Sequence, residues 1–292
     1  MLFGAGSLAA IAAAGTAGAD LASRGSLPGR QYLNWLDGAC EVRVPPMRFS
    51  RPGPQFSGTF GSRARRRRVG YTIAYPPGHR PGARLPLVVG LHGYGGNHAS
   101  VFGALSPAAV LALRAGGAPL APMAIVTVDG GGGYWNPHPG DDPMGMVTGE
   151  LIPRCQRLGL GRSHPVGAIG VSMGGYGAIL LAEKYPELVR AAAAISPAIW
   201  TSYPQARAAN PGAYASAAAF ASADAVAHAA SLAVPVRVAA GVSDPFVPGV
   251  RALARVLPPT AVVDIGHGCH AGPFAAAQLP PSIAFLAAHL TA

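Results

Sequence analysis

From Val69 onward, short apolar runs alternate with longer helix-like stretches. The runs VGYTIAYP (69–76), LPLVVGLHG (85–93), PMAIVTVDGG (122–131), VGAIGVS (166–172), AAAAISP (191–197), VPVRVAAG (234–241) and AVVDIGHG (261–268) have strand length and are mostly bounded by Gly or Pro. Between them lie segments long enough for crossover helices, among them GGYGAILLAEKYPELV (174–189). This alternation predicts an α/β fold, a mainly parallel sheet with helices on both faces. No internal repeat is evident. An Ala-rich stretch, 203–232, interrupts the rhythm; its AAAFASADAVAHAAS predicts helices, an insertion placed to cap a pocket. Residues 20–62 are rich in Pro, Gly and Arg and read as an irregular extension, leaving 63–292 as a single domain.

At 292 residues, half of them hydrophobic, the chain can bury a sizeable core, which excludes disorder. Only 12% of residues are charged, yet the formal charge is +10, and every basic residue except Lys184 is arginine. The densest run, RARRRR (63–68), reads as a solvated run flanking the first strand, with contact to an anionic envelope surface as the alternative. No nucleic-acid motif accompanies it, and no nucleic-acid partner is expected.

The first 19 residues carry no charge and end in Ala17-Gly18-Ala19, a small-x-small pattern suited to signal-peptide cleavage before Asp20. The expectation is an exported protein. A positive segment ahead of the apolar run is absent, which suggests the tail of a twin-arginine leader with the true start upstream. A membrane anchor over 1–19 or a buried N-terminal helix are the competing readings. Cys40, Cys155 and Cys269 make neither a disulfide framework nor a metal pattern; in an exported chain one pair would be bridged and one thiol left over.

The candidate chemistry centres on AIGVSMGGYGA (168–178), where Ser172 stands between Gly170 and Gly174. In a chain with 40 glycines those letters alone are weak. Their setting is stronger, because the serine ends a strand and opens a helix, and glycines on both sides let backbone atoms crowd together. The similar GVSDP (241–245) has Pro where the second glycine is needed, so Ser243 is no rival. A serine hydroxyl needs a base to remove its proton, and the base needs a third group to hold its tautomer. In a sheet of this kind the order is Ser, acid, His. Asp244, after VPVRVAAGVS, is the expected acid. His270, which leads into the terminal helix pattern FAAAQLPPSIAFLAAHL, is the expected base, with His267 in the same loop as its competitor. Asp264, within a strand, reads as structural, and Asp224 falls in a predicted helix.

Donors for a developing oxyanion are expected from the backbone N–H groups of Tyr94, in LHGYGGN (91–97), and Met173. His92 reads as a loop-shaping residue, with a second base as the alternative. The long loop DGGGGYWNPHPGDDPMGMVTGELIP (129–153) either borders the substrate pocket, with His92, Tyr134 and Trp135 as candidate walls, or is pinned by Trp packing ahead of a helix begun by Asp141, Asp142 and Glu150. The histidines lack paired metal-ligand spacing, so neither metal nor cofactor is expected.

Taken in order, LHGYGGN, GGGYWNPHPGDDP, ELIP, GVSMGGYGA, AISPAIW, GVSDPF and GCHAGPFAAAQLPPSIAFL resemble the α/β-hydrolase esterases related to esterase D and the mycobacterial antigen 85 mycolyltransferases, over about Val69 to Leu290. The resemblance implies the α/β-hydrolase fold, Ser172 as nucleophile, Asp244 as acid, His270 as base, and Tyr94 and Met173 as oxyanion donors. Antigen 85 proteins carry a glutamate as the acid, and the Ala-rich insertion has no obvious counterpart in their trehalose-binding parts; both departures favour hydrolysis over mycolyl transfer. The expected function is an exported serine carboxylic-ester hydrolase acting on a small-molecule or lipid ester. Acyl transfer to a sugar or lipid alcohol is the alternative, and a non-catalytic envelope-binding protein is the alternative of another class.

Overall fold

The computed structural model describes residues 38–162 and 166–291. The signal-like segment 1–19 and the first part of the extension lie outside these residues. The chain runs through β1 (Gln55–Ser62), β2 (Arg67–Ala74), β3 (Leu87–Leu91), α1 (Pro107–Leu111), a small ribbon of β4 (Arg114–Ala115) and β5 (Ala118–Pro119), and β6 (Ala124–Val128). Next come α2 (Pro143–Met146), a π-turn (Val147–Leu151), α3 (Ile152–Arg157), β7 (Val166–Val171), α4 (Met173–Lys184) and β8 (Val189–Ile195). The insertion supplies α5 (Tyr203–Ala209), α6 (Ala217–Ala221) and α7 (Ala225–His228), followed by β9 (Val236–Gly241), α8 (Val247–Val256), β10 (Val262–Gly266) and α9 (Gly272–Leu290).

The main sheet has eight strands in the order β1-β2-β6-β3-β7-β8-β9-β10. β1 and β2 pair antiparallel and β2 pairs antiparallel with β6, while β6, β3, β7, β8, β9 and β10 run parallel. From β3 the chain first steps to β6 on one side and then to β7 on the other. That reversal opens a crevice at the carboxyl ends of β3 and β7, where an open parallel sheet holds its ligands.

Strand pleating sends alternate side chains to opposite faces. In β8, Ala192 and Ala194 join the core under α4, whereas Ala191, Ala193 and Ile195 join the core under α9 with Phe274, Leu279, Ile283 and Leu286. Alanine keeps both helices close to the sheet. α4 stops at Lys184 because Pro186 disfavours helical geometry in the residue before it.

Three parts of the fold differ from the sequence expectation. The extension 20–62 is not irregular throughout: the sheet begins at Gln55, inside it, as an edge strand whose Phe56 is exposed and whose Ser and Gly residues leave no apolar run. The arginine run is not uniformly solvated. Arg65 is buried, with Nε and one terminal nitrogen on the two Asp141 oxygens at 2.6 and 2.9 Å and the other on the Asp129 carbonyl at 2.7 Å. The Ala-rich insertion is helical, as expected, but lies beside α4 and lines no part of the cavity next to Ser172. The Tyr176 hydroxyl donates to the Ala223 carbonyl at 2.7 Å, and the insertion's own Tyr214 and Phe220 form one ring cluster with Tyr134 and Tyr176.

Candidate active site

β7 ends at Val171 and α4 begins at Met173, so Ser172 alone makes the turn between them. Its φ of 60° is one that a side chain-bearing residue adopts at a cost of order 1–3 kcal/mol. The surrounding backbone holds it there: the Ser172 N–H donates to the Ile195 carbonyl at 2.9 Å, and its own carbonyl accepts from Tyr176 and Ala198 at 3.0 Å each. The flanking glycines are demanded by contact. A Cβ on Gly170 would stand 2.2 Å from the Gly174 carbonyl, and one on Gly174 would stand 1.9 Å from the Leu91 oxygen.

The structure brings together three of the residues singled out from the sequence. His270 Nε2 lies 2.8 Å from Ser172 Oγ, and His270 Nδ1 lies 2.8 Å from Asp244 Oδ2. Asp244 follows β9 and its side chain is fully buried, a position a carboxylate tolerates only when its oxygens are engaged. Its second oxygen accepts the Phe246 N–H at 2.8 Å. With Nδ1–H donated to Asp244, His270 Nε2 is left free to accept the Ser172 hydroxyl proton. The loops bearing acid and imidazole are joined through backbone: Ser243 N–H donates to Gly268 at 3.0 Å and Val242 N–H to Gly266 at 2.8 Å. Phe246 packs its ring 5.1 Å from that of His270, centroid to centroid. His267 is exposed on the same loop, and the bonds of Ser172 and Asp244 go to His270 instead.

Tyr94 lies in a turn closed by the Gly96 N–H on the Gly93 carbonyl at 3.0 Å, and a Cβ built on Gly93 would be 3.6 Å from Ser172 Cβ. Met173 is the first residue of α4, where an N–H has no carbonyl four residues back to bond. Two backbone N–H positions thus flank the serine.

His92, Tyr134 and Trp135 do not line the cavity beside Ser172, which corrects their reading as pocket walls. All three are buried. His92 Nε2 accepts the Gly130 N–H at 2.8 Å, and Nδ1 donates to the Gly93 carbonyl at 2.7 Å. Burial pushes the His92 pKa below its ordinary value, outweighing the Gly93 bond. Trp135 fills the space left by Gly130 and Gly177 and donates its indole N–H to the His92 carbonyl at 3.3 Å. Burial lifts the Tyr134 hydroxyl to about 12. The loop 129–153 is accordingly pinned from within: Asp142 caps α2 by accepting the Gly145 N–H, and Glu150 accepts from Arg63 and Ala64. Burial pushes the Asp141 carboxyl up, but Arg65 and Arg67 beside it win and hold it below the usual range. Asp224 caps α7, and Asp264 pairs with Arg237 at 3.2 Å.

The cavity that does open at Ser172 and His270 has a volume of about 690 Å³. Its walls come from the turn after β3, from Phe102 and Leu105, and from Ala275 and Leu279 of α9. Met47, from the extension, completes it. None of these side chains stood out in the sequence, because a wall residue has no motif of its own. Among the described residues no cluster of three or more His, Cys, Asp or Glu is placed to hold a metal ion.

A parallel sheet whose switch point carries a strained serine, a buried carboxylate and an imidazole, in that order along the chain, defines an α/β-hydrolase of the serine-hydrolase class. A family model described as "Putative esterase" matches residues 62–249, well over half of the chain, and the chain belongs to that esterase family. The match includes Ser172 and Asp244 and ends before His270. No curated protein matches by sequence. Among solved structures the chain is similar to an S-formylglutathione hydrolase from Agrobacterium tumefaciens, with 18% identity over 85% of this chain and 100% of that one and a TM-score of 0.64. It is also similar to the fluorophosphonate-binding serine hydrolase F of Staphylococcus aureus, with 16% identity over 81% and 99% and a TM-score of 0.62. A ferulic acid esterase gives the same 16%, 81%, 99% and 0.62. At these identities the likeness is one of fold.

Proposed function

We propose that this chain hydrolyses carboxylic esters through an acyl-enzyme on Ser172. The observation that carries the reading is the continuous relay from Asp244 through His270 to Ser172, each link 2.8 Å long. His270 Nε2 takes the hydroxyl proton as Ser172 Oγ attacks the ester carbonyl, and Asp244 stabilises the imidazolium that results. The carbonyl oxygen, now negative, is held by the Tyr94 and Met173 N–H groups, each donor being worth on the order of 10²–10³ in rate. His270 then gives its proton to the departing alcohol. Water, deprotonated by the same nitrogen, attacks the acyl-enzyme, releasing the acid and restoring Ser172.

The steady-state test uses three variants on a nitrophenyl ester. Ser172→Ala and His270→Ala are each expected to lower kcat by about 10⁴-fold or more, whereas His267→Ala keeps near wild-type turnover. An active His270→Ala with an inactive His267→Ala would reverse the assignment of the base. Water and an alcohol compete for the same acyl-enzyme, so product analysis with added alcohol separates hydrolysis from acyl transfer. The acid is expected to remain the main product.

The reading includes export. Its supports are the signal-like segment 1–19 and the Cys40–Cys269 disulfide, a bond that persists in oxidising compartments. The arginine excess suits an anionic envelope surface. Sequencing the mature protein from culture fluid or envelope is expected to find Asp20 first; a chain retained in the cytoplasm with residues 1–19 attached would overturn export.

A further inference from the structure

The segment between Cys40 and Ser50 has no regular structure beyond one isolated bridge, yet it is tied at both ends. At its start Cys40 is bonded to Cys269, the residue immediately before His270. At its end the Ser50 N–H donates to the Ala112 carbonyl at 2.7 Å, and the Arg48 carbonyl accepts the Arg114 N–H at 3.0 Å. Between these ties Arg43, Val44, Pro45 and Pro46 are exposed, while Val42 and Met47 turn inward against the core beneath α9. Two consecutive prolines stiffen the span by fixing φ. Met47 thereby becomes a wall of the cavity at Ser172, together with side chains that are themselves apolar: Phe102, Leu105, Ala275 and Leu279.

We infer that this strap completes an acyl-binding cavity for apolar acyl chains, that Met47 sets the chain length accepted, and that the Cys40–Cys269 disulfide holds the wall in place. The inference rests on the esterase reading of Ser172 and adds the substrate class. The acyl group is assigned to the cavity because it stays bonded to Ser172 while the alcohol must leave to water. An apolar enclosure suits the part that is retained. Each methylene buried there strengthens binding about fourfold.

The test compares kcat/KM for nitrophenyl acetate, butyrate, octanoate and palmitate, and for ethyl against octyl acetate. Wild type is expected to prefer octanoate to acetate by about tenfold or more. Met47→Trp, which fills the cavity, should lower that octanoate-to-acetate ratio about tenfold, Met47→Ala should move the optimum towards longer acyl chains, and Cys40→Ser should flatten the preference. Unchanged ratios in both Met47 variants, or a change confined to the alcohol series, would overturn the inference. Calorimetry of octanoate binding to Ser172→Ala separates it from the catalytic reading. Binding there that weakens with Met47→Trp supports the cavity even if wild type hydrolyses nothing. No octanoate binding and no chain-length preference in a wild type that does turn over acetate rejects the cavity and leaves the hydrolysis standing.

Discussion

Gly174 and Gly95 separate two reasons for having glycine beside a serine of this kind. A Cβ on Gly174 collides with backbone, while Gly95 at φ 74° has nothing within 4 Å of its virtual Cβ. Gly174→Ala should therefore destabilise the fold by about 3 kcal/mol and Gly95→Ala by about 1 kcal/mol, both read from urea unfolding. His92 makes a second residue-scale case. Burial lowers its pKa, and its Nε2 accepts the Gly130 N–H, so the folded chain resists its protonation. As pH falls below about 6.5 the unfolded chain takes up a proton that the folded chain refuses, and stability drops until the depressed folded pKa is reached. Above pH 6.5 both states are neutral and the contribution is complete. The expected result is a melting temperature that falls less steeply between pH 7 and pH 5 in His92→Gln than in wild type.

At the scale of elements, the loop after β10 depends on tethers from outside the sheet. Cys40–Cys269 links positions 229 residues apart, and closing so long a loop restricts the unfolded chain by up to about 5 kcal/mol. Cys40→Ser should lower the melting temperature, and reductant should do the same to wild type while leaving the variant unaffected. Cys155 will not substitute as a partner, since it is buried and burial lifts its thiol to about 12. The strands β2, β3 and β6 to β10 were legible in the sequence because each is a compact apolar run with Gly or Pro at its ends. β1 was not, because an edge strand built from QFSGTFGS puts Phe56 into solvent and has no run to detect. The insertion was legible as helix but not in placement. Alanine propensity says nothing about what a helix packs on, and here Tyr176 and Tyr214 decide it. Tyr176→Phe, which strands the Ala223 carbonyl, should destabilise the chain by about 1–2 kcal/mol.

Across the whole molecule, Ser172, Asp244 and His270 are spread over 98 residues of sequence and meet because β7, β9 and β10 are near neighbours whose carboxyl ends face one crevice. Their order along the chain was readable, since the topology of a doubly wound sheet restricts where each can lie. The cavity walls were not, because Met47, Phe102 and Leu279 come from three distant segments and share only apolarity. The arginine run misled for a related reason: one of its members, Arg65, is internal because Asp141 and the Asp129 carbonyl reach it from a loop many residues away. Ester hydrolysis as proposed requires a nucleophilic Ser172 activated by His270. Its most direct measurement is the intact mass of the protein after exposure to a fluorophosphonate. Wild type should gain one phosphonyl group, mapped to the peptide containing Ser172, and Ser172→Ala should gain none. An unlabelled wild type, or equal labelling of Ser172→Ala, would rule out Ser172 as the nucleophile.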